Sequence, residues 1–143
     1  MASEQPNNVK EYYRLVTGID IGLVARELLG GRVVQESANL LQCDCPNHKS
    51  QSHRSLHVML DKQGWYCFGC GLGGDVLQLV EVINDGVVTR GQSGPMPESH
   101  QGARDFLAAK AGLPSLSSYG LSPEQMAEAE AARSLELRVQ SAL

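Results

Sequence analysis

The residues best suited to chemistry in this chain are its four cysteines, which all lie in two short segments. The first segment reads CDCPNH and contains Cys43 and Cys45. The second reads WYCFGCGLGGD and contains Cys67 and Cys70. Two ligands separated by two residues on a tight turn supply half of a tetrahedral zinc site, and Cys67 and Cys70 have that spacing. The pattern predicts a metal centre assembled from two turns.

The first segment offers three ligands for two coordination positions: Cys43, Cys45 and His48. Cys45 and His48 have the same two-residue gap as the second pair, whereas Cys43 and Cys45 are closer together than such turns usually permit. We therefore expect one structural Zn²⁺ and a free thiol at Cys43. The favoured ligands are Cys45, His48, Cys67 and Cys70. The alternative, in which His48 is a surface side chain and Cys43 replaces it, stays open.

Disulfide bonds are the other common use of four cysteines. The N-terminus lacks the basic start and the apolar stretch of a secretory signal, which favours reduced thiols and a cytoplasmic location. No apolar run is long enough to cross a bilayer, so no membrane association is expected. Zinc is therefore the preferred interpretation.

A catalytic zinc ion needs an open coordination position and a neighbouring general acid or base. The sequence contains no His-Glu-x-x-His motif, and Lys49 and Ser50 follow His48 where deaminases have a glutamate. With all four positions filled by protein, the site is predicted to be structural, and no catalytic residue is assigned.

Length and composition indicate one small domain with appendages. The chain has 143 residues, of which 5% are aromatic and 15 are glycine. Its hydrophobic core is therefore expected to be small and to need a bound metal ion for stability. Its formal net charge of −4 excludes a broad basic surface of the kind that grips nucleic acid by charge alone.

The elements that must position the ligands indicate an α+β fold: a zinc ribbon with a small antiparallel β-sheet flanked by short helices, plus a C-terminal helix. Helical periodicity predicts helices over 7–18, 20–31, 73–84 and 103–112. Alternating patterns predict strands over 32–37, 39–43, 55–60 and 65–68. Asp20 and Asp75 are predicted helix N-caps.

The remaining segments suggest how the chain is organised. We predict an N-terminal helix in 1–18, the zinc-binding domain in 19–113, and a linker with a C-terminal helix in 114–143. Within the domain, 85–102 is rich in Gly, Ser and Pro and is predicted to be an exposed loop, with His100 on the surface.

The two cysteine segments together resemble the N-terminal zinc-binding domain of bacterial DnaG-type DNA primases. That family has a Cys-Pro-x-His turn followed by Tyr-x-Cys-Phe-Gly-Cys-Gly and Gly-Asp, and the likeness runs roughly from Ile19 to Leu113. It implies a zinc ribbon whose ligands are Cys45, His48, Cys67 and Cys70. It also implies a primosome component that recognises single-stranded DNA template for RNA primer synthesis during DNA replication.

In that family, basic and aromatic side chains on the sheet face contact the template, since bases stack on rings while cations meet phosphates. The candidates in this chain are Lys49, His53, Arg54, Lys62, Trp65 and Tyr66. Trp65 and Tyr66 alternate along one strand, so at least one of them is expected in the core. The chain departs from the family at Arg54 and Leu56, which stand where proline and phenylalanine are usual.

Primer synthesis in the family uses an Asp-x-Asp pair and a glutamate to hold Mg²⁺, and this sequence has no Asp-x-Asp. We therefore expect an accessory module that works with a primase catalytic domain, a helicase or a polymerase; a complete small primase is disfavoured. The alternative is a regulatory zinc module that binds a replication factor through its acidic tail helix. The net charge and the lost phenylalanine favour that alternative, whereas Arg54, Lys49 and Trp65 favour DNA.

Overall fold

The structure is a computed structural model that describes residues 9–47, 53–90 and 96–116. The chain divides into two compact units, one formed by Ile19–Val88 and the other by the described residues on either side of it. A search of the described residues finds no helix with the length and apolarity needed to cross a membrane.

The described elements alternate between short helices and short strands. The helices are α1 (Val9–Thr17), α2 (Ile21–Leu29), α3 (Val76–Asp85) and α4 (Glu98–Lys110), with a 3-10 turn over Gly30–Arg32 after α2. The strands are β1 (Val33–Glu36), β2 (Leu40–Cys43), β3 (Leu56–Met59), β4 (Gly64–Cys67) and β5 (Leu72–Gly74). The predicted α+β class is confirmed, while the predicted C-terminal helix lies outside the described residues.

The five strands form one antiparallel sheet in the order β1-β2-β3-β4-β5. Pairing aligns Leu41 with Val58 and Val58 with Trp65, and all three are buried. Helices α2 and α3 pack against each other, α2 also contacts β3, and α3 also contacts β4 and β5. Because side chains alternate along a strand, the other face of the sheet carries the intervening residues, which are more exposed.

The turn between β3 and β4 is fastened to the start of α2 by Gln63. Its side-chain oxygen accepts from the backbone N–H of Ile21 at 2.9 Å, and its amide nitrogen donates to the carbonyl oxygen of Leu60 at 2.7 Å. Asp20 caps the same helix end by accepting from the N–H of Gly22 at 3.1 Å, as the sequence predicted. These bonds fix the position of the β3–β4 turn relative to α2.

Helix α3 begins with a complete capping box. The carboxylate of Asp75 accepts from the N–H of Gln78, and the side-chain oxygen of Gln78 accepts from the N–H of Asp75, each at 3.0 Å. The helix ends at Gly86, whose φ of 73° is the left-handed conformation that glycine adopts without strain. Both ends of α3 are therefore set by local sequence.

In the other unit, α1 packs against α4 around a buried polar group. The hydroxyl of Tyr13 lies 3.2 Å from Nε2 of His100 and accepts from the guanidinium of Arg104 at 3.0 Å. Tyr12 donates to the carbonyl oxygen of Pro114 at 3.0 Å. Tyr13, His100 and Arg104 are each at most 3% exposed.

The structure corrects the prediction of an exposed loop over 85–102 with His100 on the surface. Helix α4 begins at Glu98, five residues before the predicted start, so His100 lies in its first turn and is fully buried. Met96, just before the helix, is also buried. A run rich in Gly, Ser and Pro concealed the helix start because the packing partner of His100, Tyr13, is distant in sequence.

Candidate metal centre and open sheet face

Three of the four predicted zinc ligands come together in the structure. The sulfur atoms of Cys45, Cys67 and Cys70 all lie within 4.8 Å of one another, and those of Cys45 and Cys70 are 3.7 Å apart. A zinc–sulfur bond of about 2.3 Å in a tetrahedral site places two sulfurs about 3.8 Å apart. The cluster therefore fits one Zn²⁺ with thiolate ligands.

The second turn is shaped so that backbone groups face its first sulfur. The N–H of Cys70 donates to Sγ of Cys67 at 3.4 Å, and the N–H of Gly71 donates to the carbonyl oxygen of Cys67 at 2.9 Å. Gly71 has a φ of 69°, a conformation that a side chain would strain. Cys67 ends β4, so the sheet delivers this ligand directly.

The first turn is held by a side chain that sequence reasoning did not identify. Asn47, two residues after Cys45, donates from its side-chain nitrogen to the carbonyl oxygen of Val82 near the end of α3, at 2.7 Å. The next residues, His48 and Lys49, lie outside the described residues. His48 therefore stays a predicted fourth ligand, and Lys49 a predicted DNA contact.

Cys43 is separate from the sulfur cluster. It is fully buried at the end of β2, and burial, reinforced by the charge of Glu36, raises its pKa to about 12. A thiol with that pKa stays protonated near neutral pH. This environment agrees with the predicted free thiol.

Within the cluster, the protein environment shifts the pKa values of the three thiols in different directions. Burial raises the pKa of Cys45, and burial with the neighbouring thiols raises that of Cys70 to about 12. Burial also acts on Cys67, but hydrogen bonds led by the N–H of Cys70 outweigh it and lower the pKa. Metal binding requires deprotonated ligands, so loading this cluster would release protons.

The predicted aromatic DNA contacts lie on opposite faces of β4. Trp65 is 2% exposed, and its indole N–H donates to the carbonyl oxygen of Asp75 at 2.9 Å. Its ring therefore presents no face to a base, and we leave it out of the interface. Tyr66 points to the opposite side of the sheet and is 40% exposed.

The predicted cationic contacts are exposed but not contiguous. His53 and Arg54 precede β3, and Lys62 lies in the turn after it. Nδ1 of His53 is 3.5 Å from the carboxylate of Asp44, which also pairs with Arg32 at 3.2 Å. The cations therefore flank the two ends of β3.

Two rings that were not predicted as contacts join Tyr66 on the open face. Phe68, which is 67% exposed, stacks edge-to-face with both Tyr66 and His57, at centroid distances of 5.1 and 4.9 Å. We call His57, Tyr66 and Phe68 the aromatic cluster. Phe68 lies between the two ligand cysteines of the second turn, so the same turn that binds metal also presents this ring.

The aromatic cluster continues into a row of polar side chains across the sheet. The antiparallel register aligns Gln35 with Gln42, Gln42 with His57, His57 with Tyr66, and Tyr66 with Gly73. Residues directly opposite each other in antiparallel strands share a face. The open face therefore carries two amides beside the aromatic rings.

Comparison with known proteins agrees with this geometry. Residues 11–88 match the model of the CHC2 zinc finger, the DnaG-type zinc ribbon, over more than half of the chain. The structure is similar to the crystal structure of the Aquifex aeolicus primase (zinc-binding and RNA polymerase domains), with a TM-score of 0.56 and 26% sequence identity. The match covers 80% of this chain but 24% of that one. No curated protein matches the chain significantly.

Proposed function

Because this chain belongs to the CHC2 zinc-finger family of DnaG-type zinc ribbons, we propose that it recognises single-stranded DNA template for RNA primer synthesis during DNA replication. Zn²⁺ is its cofactor, and the cluster of Cys45, Cys67 and Cys70 is the site for it. In this proposal His48 completes the ligand set, and the catalytic domain is supplied elsewhere.

The observation that carries the proposal is the exposed aromatic cluster. Exposed rings are costly to leave in water, and Phe68, in contact with both Tyr66 and His57 on one sheet face, gives a group of rings on which planar ligands can stack. Stacking on such a platform contributes about 1–3 kcal/mol per base in proteins that bind single strands. Unpaired bases offer the faces that this surface needs, whereas duplex DNA hides them.

The charges at the ends of β3 fit the backbone of the same ligand. Arg54 and His53 precede the strand and Lys62 follows it, so cations flank the aromatic cluster along the strand direction. Few cations take part, so binding is expected to weaken with salt only modestly. Stacking, more than charge, then accounts for a DNA contact in a chain of net charge −4.

The metal has a structural part in this proposal. Phe68 lies inside the turn closed by Cys67 and Cys70, so metal binding fixes the position of the ring that contacts both other members of the cluster. Removal of zinc should therefore disorganise the platform as well as the turn.

The chain corresponds to about a quarter of the Aquifex protein chain in that crystal structure. We therefore propose that primer synthesis needs a partner catalytic domain. This role would place the chain in the cytoplasm.

The test is binding of dye-labelled single-stranded oligonucleotides, measured by anisotropy with zinc-loaded protein. Phe68→Ala should weaken binding about tenfold through lost stacking, and Phe68→Trp should retain it. Val87→Ala is the matched control, because Val87 is also an exposed apolar side chain (49%) but follows α3 and belongs to no strand of the sheet. Zinc content should be the same in all variants.

Equal binding by Phe68→Ala and the unsubstituted protein would refute the aromatic platform. No binding of any oligonucleotide, even at low salt, would reject the template-recognition role. It would shift attention to the alternative, a protein-interaction module that binds a replication factor through its tail, a segment outside the described residues.

A further inference from the structure

Building on the proposed DNA-binding role, we infer that Gln42, with Gln35 beside it, reads the edge of the base stacked on the aromatic cluster and favours adenine. The proposed function requires only that bases stack. Base reading by these two amides would add a sequence preference, and it follows from the sheet register.

The register puts the amides where a stacked base would present its edge. Gln42 is directly opposite His57 on the neighbouring strand, and Gln35 is directly opposite Gln42. Cβ atoms of such cross-strand pairs are about 4.5–5.5 Å apart. A base stacked on the rings would extend from them towards β2. Its edge would then lie within hydrogen-bonding reach of the side-chain amide of Gln42.

Among the residues that the structure describes, the side-chain amides of Gln35 and Gln42 make no hydrogen bond. The described segments contain five glutamines. Three of them are committed to the fold, since Gln63, Gln78 and Gln101 each hydrogen-bond to backbone groups. Within these segments, the side-chain amides of Gln35 and Gln42 have no hydrogen-bonding partner. The two free amides are therefore neighbours on the open face.

Exposure distinguishes the roles of the two side chains. Gln42 is half-buried and lies between two strands, whereas Gln35 is exposed on the edge strand β1. A half-buried amide has fewer water molecules to satisfy it and a more restricted position, so it discriminates between ligands more strongly. Gln42 is therefore the principal reader and Gln35 the auxiliary one.

The chemistry of the amide points to adenine. A glutamine side chain presents one acceptor and one donor in a plane, which match N6–H and N7 of adenine in a bidentate pair. Guanine offers two acceptors on that edge, and pyrimidines lack N7. The neighbouring row on the same face, Leu40 and Met59, is apolar. It therefore adds no competing donor or acceptor from its side chains.

Single-stranded DNA is the ligand that fits this face, because cations lie at both ends of the strand that carries one of the rings. Arg54 and Lys62 lie before and after β3, and His57 lies on β3 between them. Phosphates on either side of a stacked nucleotide would meet these cations. An acidic peptide would meet the same cations, but it would have little use for adjacent exposed rings and free amides.

The experiment compares oligothymidines that carry one central dA, dC, dG or 7-deaza-dA, titrated into the zinc-loaded chain. The dA oligonucleotide should bind about tenfold more tightly than the others, and 7-deazaadenine, which lacks the N7 acceptor, should lose that advantage. Gln42→Leu should abolish the preference for dA, so that the dA and 7-deaza-dA oligonucleotides bind this variant equally. Gln42→Glu should shift the preference towards dC, whose N4 amino group donates to a carboxylate.

The controls separate this inference from the proposed function. Phe68→Ala should weaken binding of every oligonucleotide by a similar factor and keep the order of preference. If Gln42→Leu keeps the preference for dA, or if the unsubstituted chain binds all four bases equally, the base-reading role is overturned while template binding stands. Loss of all binding in the unsubstituted protein overturns both.

Discussion

The side chain of Asn47 donates a 2.7 Å hydrogen bond to the carbonyl oxygen of Val82 and so joins the first metal-binding turn to the end of α3. Gly86, four residues after Val82, leaves room for this contact, since a Cβ on Gly86 would lie 3.3 Å from Oδ1 of Asn47. The capping glycine of α3 therefore also makes room for the turn that carries Cys45.

Replacing Asn47 with alanine should lower the stability of the Ile19–Val88 unit by about 1 kcal/mol, because the carbonyl oxygen of Val82 loses one of its two donors and keeps only the N–H of Gly86. It should also speed zinc transfer to a competing chelator, because Cys45 is held less firmly. Asn84→Ala is the control, since Asn84 is exposed at the same end of α3. Identical zinc-transfer rates for the two variants would show that Asn47 does not support the site.

The two kinds of cysteine should respond oppositely to substitution. Cys67→Ser should abolish zinc binding and unfold the Ile19–Val88 unit, because structural zinc binding and folding are coupled. Cys43→Ala should retain one zinc per chain by native mass spectrometry. Loss of metal from Cys43→Ala would mean that Cys43 is a ligand.

The thiol of Cys43 should also resist alkylation in the folded protein. Its pKa of about 12 keeps it protonated at neutral pH, and only the thiolate reacts rapidly.

The buried polar group between α1 and α4 gives a further prediction. Tyr13→Phe removes the hydroxyl that contacts both His100 and Arg104, so buried polar atoms lose a partner. We expect a loss of about 1–3 kcal/mol in the free energy of unfolding of that unit, measured by hydrogen exchange of α4 amides.

Tyr12→Phe is the comparison, because the hydroxyl it removes donates to the carbonyl oxygen of Pro114. Its expected cost is about 1 kcal/mol. Equal effects of the two substitutions would indicate that the hydroxyl of Tyr13 satisfies no more than one buried group.

Features set by local sequence were predictable. The caps at Asp20 and Asp75 were identified because capping involves residues only two or three positions apart. The paired spacing of Cys67 and Cys70 likewise identified two of the three cysteines in the sulfur cluster. Strand β5 was missed because its three residues include two glycines, which give no alternating pattern.

Features set by register and by distant packing were not predictable. His57 and Phe68 were missed because their contact depends on how β3 aligns with β4, which a one-residue shift would undo. His100 was placed on the surface because composition describes its neighbours in sequence, whereas its burial depends on the packing of α4 against α1. Trp65 and Tyr66 were known to alternate, but only the sheet decides which one is buried.

The burial of Trp65 has a practical consequence, since it is the chain's sole tryptophan. Its indole lies in the core of the Ile19–Val88 unit and donates a hydrogen bond to Asp75, the N-cap residue of α3. Its fluorescence emission should be blue-shifted in the native state and should report the unfolding of this unit alone. Excitation at the long-wavelength edge of the absorption band excites tryptophan and not the tyrosines of α1. The molecule thus contains its own optical reporter for the half that holds the metal.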